Sequence, residues 1–389
     1  MNDRYRTDLF VQHLYKDQPG KLRFDPEKIR TKEEFDAWKE QVREKAYELM
    51  QFPEDAYEKP EVRFLFSRQR DGYRVEKYEI SPEPELWIPF LLLVPDTVST
   101  KNKAPGVLCF PGWDVPKEML CGEESMNLGY GEPVSGISYP FSNAMALHYV
   151  RKGMVALACD NMGTCEQEGL YDRQQFALKM IFKGRNYVGL SVFCRWAMFN
   201  WLAEQDYVDE NRMGLAAHSL GTETSMFLAL LEPRVKAVSH NDFMSDNEQR
   251  IISCFPPEEF MFGGHIHIVP SMHKWFSFPD LIAAFAPKPM LLSEGGVPED
   301  LERKGLRACR SSRQLSVRPL SGISGSCQPE AGLPAHPGRH HERGIFPLCQ
   351  RGAGASLLQD GNLHPLDGEG AEQLKIPQDY CILSTVVLL

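Results

Sequence analysis

Met213-Gly-Leu-Ala-Ala-His-Ser-Leu-Gly221 joins a short apolar run to Thr222–Leu231, a segment with helical spacing of apolar residues. A serine between a strand and a helix, flanked by small residues, has the pattern of a nucleophile elbow. The turn brings backbone and neighbouring strands close together, so Ala217 and Gly221 must be small. The hydroxyl of Ser219 then stands at a helix N-terminus, where the dipole and free amides favour a developing anion. Ala217 stands where glycine is more usual. A bare five-residue match is common by chance, and the strand–turn–helix setting gives this one its weight. The plainer reading is that Ser219 only caps the helix. His218 is next to the serine, but an elbow points the preceding residue away, so His218 reads as a packing or loop residue.

Outward from this stretch, strands and helices alternate. Gly106–Phe110, Met154–Cys159, Val235–His240 and Lys288–Ser293 read as strands, as does Met213–Ala217. Phe141–Val150 and Tyr187–Glu204 read as helices. Such alternation predicts an α/β fold, a mostly parallel sheet with helices on both faces. Right-handed crossovers gather the C-terminal ends of the strands along one rim, where sites are built. Upstream, Lys32–Met50 predicts a helix with charged faces lying on a larger body. Tyr73–Ile80 and Leu86–Val94, separated by Ser81-Pro-Glu-Pro, predict a hairpin. The expected organisation is an N-terminal helical and hairpin appendage over 1–95, an α/β core over 96–302, and an aberrant, disordered tail over 303–389.

Composition narrows the partners. With 389 residues, 42% hydrophobic and 25% charged, the chain can form one large α/β domain with an appendage. A net charge of -10 argues against nucleic acid and anionic membranes as partners. No apolar run approaches the roughly 20 residues that span a bilayer. The start lacks the basic-then-apolar pattern of a secretion signal, so the expected location is cytoplasmic. Ten cysteines without paired spacing read as reduced core thiols. No oligomeric state is legible.

The loop Phe110-Pro-Gly-Trp-Asp114 follows the first core strand. In elbow-bearing folds the equivalent loop gives a backbone N–H to the oxyanion, alongside the residue after the nucleophile. Trp113 and Leu220 are therefore the expected oxyanion donors, through backbone atoms only. Trp113 also suits a hydrophobic plug beside a pocket, and Asp114 reads as a turn residue.

Further text accompanies the elbow in a fixed order: Asn186-Tyr-Val-Gly-Leu-Ser191, Trp201-Leu-Ala, Val208-Asp-Glu-Asn-Arg-Met-Gly214, Leu230-Leu-Glu-Pro-Arg-Val-Lys-Ala237 and Ala286-Pro-Lys-Pro-Met-Leu-Leu-Ser-Glu-Gly-Gly296. From about residue 75 to 302 the chain resembles bacterial acetyl-xylan-esterase-like α/β hydrolases, relatives of the dienelactone hydrolases. The resemblance implies a serine nucleophile, an acid after the penultimate strand, then a histidine. It also implies small acyl esters of carbohydrate as substrate and no cofactor. The acid is expected in Glu294–Asp300, where Asp300 matches one family position and Glu299 is the alternative. A peptidase or thioesterase on the same scaffold remains a separate expectation.

After about residue 302 the text changes character. Of the aromatic residues only Phe346 and Tyr380 lie beyond it, and Gly, Ser, Pro and Arg dominate. Alone, this reads as disordered low-complexity sequence. Read one base later, however, His341–Gln373 permits a family-like ending with a histidine before an amphipathic helix, and Leu374 permits a stop. The tail is therefore expected to be frameshifted, with the last strand and closing helix missing. Ser356 occupies the slot of the catalytic histidine, and the chain would be a crippled relic of such an esterase. His336, His340, His341 and His364 are accidents of the wrong frame on this reading; on the other, one of them is the base of a divergent tail. His265 and His267, with His273 nearby, read as loop or pocket-wall histidines and not a metal site. Glycine-rich phosphate loops are absent.

Overall fold

Apolar runs at Leu91–Val94, Val107–Phe110, Val155–Cys159 and Leu215–Ala217 form the middle of one sheet. The computed structural model describes residues 5–16, 20–112, 115–123, 144–241, 243, 264–294 and 385–388. These belong to one compact unit, residues 1–317 with 383–389; a second unit, residues 318–382, lies outside the described residues. The strands are β1 (Glu61–Arg70), β2 (Tyr73–Glu83), β3 (Leu86–Pro95), β4 (Ala104–Phe110), β5 (Val155–Cys159), β6 (Val208–His218), β7 (Val235–Asn241), β8 (Met290–Glu294) and β9 (Thr385–Leu388). The helices are α1 (Thr7–Lys16), α2 (Lys32–Met50), α3 (Lys117–Leu120), α4 (Met145–Arg151), α5 (Arg173–Phe182), α6 (Tyr187–Ala203), α7 (Leu220–Leu231) and α8 (Phe278–Phe285).

The sheet runs β1-β2-β3-β5-β4-β6-β7-β8-β9. Its centre, β5-β4-β6-β7-β8, is parallel, and both flanks are antiparallel. Non-sequential neighbours at β3-β5-β4-β6 mean crossovers, which in a parallel sheet are made by helices. The expected hairpin is present as β2 and β3, and β3 pairs with β5, so the hairpin extends the core sheet. Among the described residues no parallel strand follows β8. The neighbouring position is taken by the short β9, where the tail was expected to lack structure.

Side chains alternate between two buried layers, as the pleat requires. Leu108, Phe110, Leu157 and Cys159 join one layer, together with residues of α2, α6, α7 and α8. Val107, Cys109, Ala156 and Ala158 join the other, against Ala146, Leu147 and Val150 of α4. Helices thus cover both faces. The described cysteines, Cys109, Cys121, Cys159, Cys165 and Cys194, are buried and free. Among the described residues no helix is long and apolar enough to cross a membrane.

Two junctions set the site's surroundings. Helix α2 starts at a capping box between Thr31 and Glu34 and buries Phe35, Trp38, Val42, Ala46, Leu49 and Met50 on one face. Asn186 caps α6 by accepting from the Gly189 amide at 2.7 Å, and its Nδ2 donates to the Leu49 carbonyl at 2.9 Å. The start of α6 is therefore pinned to the end of α2. Because the five central strands are parallel, Phe110, Cys159, His218, Asn241 and Glu294 end on the same rim.

Candidate active site

A tight turn at Ser219 joins β6 to α7, at the position where the sequence places an elbow. Ser219 sits at φ 49° and ψ -118°, a conformation that L residues rarely adopt and that costs about 1–3 kcal/mol. The surroundings hold it there: its amide donates to the Asn241 carbonyl on β7 at 2.8 Å, and its carbonyl accepts from the Thr222 amide at 2.8 Å. Ser219 is half-buried and makes no side-chain cap to the helix. That geometry departs from the plain capping role, in which the serine oxygen accepts from the first turn.

The loop after β4 lies directly across this bend. A Cβ on Gly221 would sit 2.6 Å from the Pro111 carbonyl oxygen and 2.6 Å from Phe110 Cβ. A Cβ on Gly112 would sit 2.7 Å from His218 Nδ1. Pro111–Gly112 therefore lies against the turn on both sides of Ser219, and at 221, where backbone atoms close in, glycine is required for close approach. Ala217 is buried at the end of β6, in register with Phe110. Leu220 opens α7, so its amide is one of the first-turn N–H groups without an intrahelical acceptor. The ring of His218 faces Gly112, in keeping with a packing residue. Trp113, Glu299 and Asp300 lie outside the described residues, as do Asp114 and His336, His340, His341 and His364.

Two buried histidines surround the elbow helix. His240, on β7, contacts Ser225 Oγ at 3.0 Å, and burial pushes its pKa down to about 3. It is neutral at ordinary pH and unsuited to holding a proton. His267 places Nδ1 2.7 Å from Glu223 Oε2, with both side chains buried. The sequence reading missed this pair because its members are 44 residues apart. One signal was available: Glu223 is an ionisable residue inside an otherwise apolar helix, a position that calls for a buried partner.

The sequence pattern of the Abhydrolase family matches residues 2–314. The chain belongs to the Abhydrolase family. A Bacteroides fragilis protein named as an acetyl xylan esterase is 27% identical with a TM-score of 0.69, over 80% of this chain and 79% of that one. A glucuronoyl esterase from Solibacter usitatus has a TM-score of 0.52 at 12% identity, over 77% of this chain and 85% of its own, and shows the fold alone. The Bacillus subtilis protein YtaP, named as a hydrolase, is 22% identical over 163 residues, 42% of this chain. That match spans about half of the curated relative's length, 53%. This Abhydrolase-family chain thus has an esterase-like α/β-hydrolase fold, similar to that of the acetyl xylan esterases.

Proposed function

We propose that this chain is built to cleave carboxylic esters by two-step acyl transfer, with Ser219 as nucleophile. The observation that carries the reading is the strained, half-buried serine with Pro111–Gly112 pressed against the bend on both sides. Ser219 Oγ attacks the ester carbonyl, and the charge on the carbonyl oxygen is held by the backbone amides of Leu220 and Trp113. The alcohol leaves, and water releases the acyl group. A histidine oriented by Asp300 or Glu299 supplies the base in the parent reaction. No cofactor takes part in these steps. Small acyl esters of carbohydrate are the proposed substrate class, supported by the neighbour named as an acetyl xylan esterase.

A second reading concerns this particular chain. We propose that its tail is frameshifted after about residue 302 and that the histidine is overwritten, with Ser356 in its slot. The loss of aromatic residues beyond that point supports this, as does a family match that stops at residue 314. The chain would then be a relic with residual activity from the oxyanion donors alone.

A substrate panel on the chain with its frame restored tests the ester assignment. Aryl acetates and acetylated xylo-oligosaccharides are expected to be hydrolysed faster than the matching thioacetate and far faster than the anilide. An anilide or thioester turned over as fast as the ester would assign the scaffold to a peptidase or thioesterase.

A further inference from the structure

We infer that Asp160 and Asn161, the two residues leaving β5, are positioning residues that clamp the loop after β4 at both ends, and that Arg195 locks this clamp to the nucleophile helix. The inference rests on the reading of Ser219 as nucleophile. Asn161 Nδ2 donates to the Gly112 carbonyl at 2.6 Å and lies 3.4 Å from the Pro111 carbonyl. Asp160 Oδ1 accepts from the Lys117 amide at 2.8 Å, and Oδ2 meets Lys117 Nζ at 2.8 Å. Adjacent side chains from one strand end thus hold both ends of the loop. A peptide unit is planar, so a hydrogen bond to the Gly112 carbonyl would also restrain the amide joined to it. That amide is the proposed second oxyanion donor.

Arg195, from α6, carries the constraint onward. One of its nitrogens donates to Asn161 Oδ1 at 2.7 Å and another to Thr224 Oγ1 at 2.9 Å; Thr224 in turn donates to the Gly221 carbonyl at 3.0 Å. An unbroken line of hydrogen bonds therefore runs from the loop to the first turn of the nucleophile helix. Asp160, Asn161, Arg195 and Thr224 are each at most 2% exposed, so the line is shielded from competing water. At the far end Lys117 also meets Glu118 at 3.0 Å and bonds Glu166, and Lys77 holds Glu166 at 2.5 Å. Burial disfavours the Lys117 charge, but Asp160, Glu118 and Glu166 together raise its pKa well above the usual lysine value. A charged lysine anchors the loop. Preorganised donors need such support, because an amide misdirected by a fraction of an ångström stabilises the oxyanion poorly.

Asn161→Asp separates positioning from packing: it keeps shape and a partner for Arg195 but cannot donate to Gly112. The measurement is inactivation by a fluorophosphonate, resolved into reversible affinity and first-order rate, on this chain and on its frame-restored form. Expected is a fall of about 10- to 100-fold in the first-order rate for Asn161→Asp and Asn161→Ala, with affinity held and both variants still folded at the assay temperature despite a lowered melting temperature. An unchanged rate in Asn161→Asp while Ser219→Ala abolishes labelling would overturn the clamp and leave the nucleophile intact. Labelling that survives Ser219→Ala would remove the reading on which the clamp rests. A rate that falls only in step with the folded fraction would also overturn the clamp.

Discussion

Restoring the reading frame beyond residue 302 is expected to raise the turnover of p-nitrophenyl acetate by about 10³-fold or more. The size of the effect follows from the chemistry of serine. A neutral hydroxyl is a weak nucleophile, and a base must take its proton as the bond to carbon forms. Removing the serine or the histidine of such a set costs about as much as removing all its members, since they act as a unit. The tight turn at Ser219 and its contacts with Phe110–Gly112 are present in this chain. Within the described residues, neither buried histidine contacts the serine: His240 is bonded to Ser225, and His267 to Glu223. Equal rates for the two forms would mean that a residue of the present tail, or another group, serves as base.

Replacing Gly189 by alanine is expected to lower stability by about 2–3 kcal/mol and the melting temperature by about 5–10 °C. An added Cβ would lie 1.9 Å from the Met50 carbonyl oxygen and 2.8 Å from its carbon. Both are backbone atoms, and Asn186 ties the same segment to Leu49, so neither side can yield alone. Helix α6 would have to lift from the end of α2, opening the layer that contains Phe35, Trp38 and Val42. Gly169 has nothing within 4 Å of its notional Cβ, and Gly169→Ala is the matched control, expected to change stability by less than about 0.5 kcal/mol. Thermal melts followed by circular dichroism decide the matter. Indistinguishable curves for the two variants would contradict the close crossing of α2 and α6.

The central strands were legible because fully buried parallel strands read as unbroken apolar runs, as in Val155–Cys159. Helix α6 was legible for a related reason, with an apolar content that survives in a single window. Strand β1 was not. It is an edge strand whose residues are mostly exposed, and its register shifts between Phe64 and Phe66, so Glu61–Arg70 shows no clean alternation. Helix α5 was missed because it buries only Ala177 and leaves Leu178 and Phe182 exposed, which erases the stripe that marks a helix. At the site, the tight strand-to-helix turn was readable because its constraint is local: Ala217, Ser219 and Gly221 are neighbours in the chain. The clamp of Asp160, Asn161 and Arg195 was not, because it joins residues 34 to 50 positions apart that only the fold brings together.

The most direct test of the account is to locate the residue that a fluorophosphonate modifies, by peptide mass spectrometry of this chain and of the frame-restored form. The expected adduct is on the peptide that contains Ser219, formed readily in the frame-restored form and about 10³-fold more slowly in this chain, and it disappears in Ser219→Ala. An adduct on any other residue, or none on either form, would contradict the assignment of the β6–α7 turn as the seat of the chemistry.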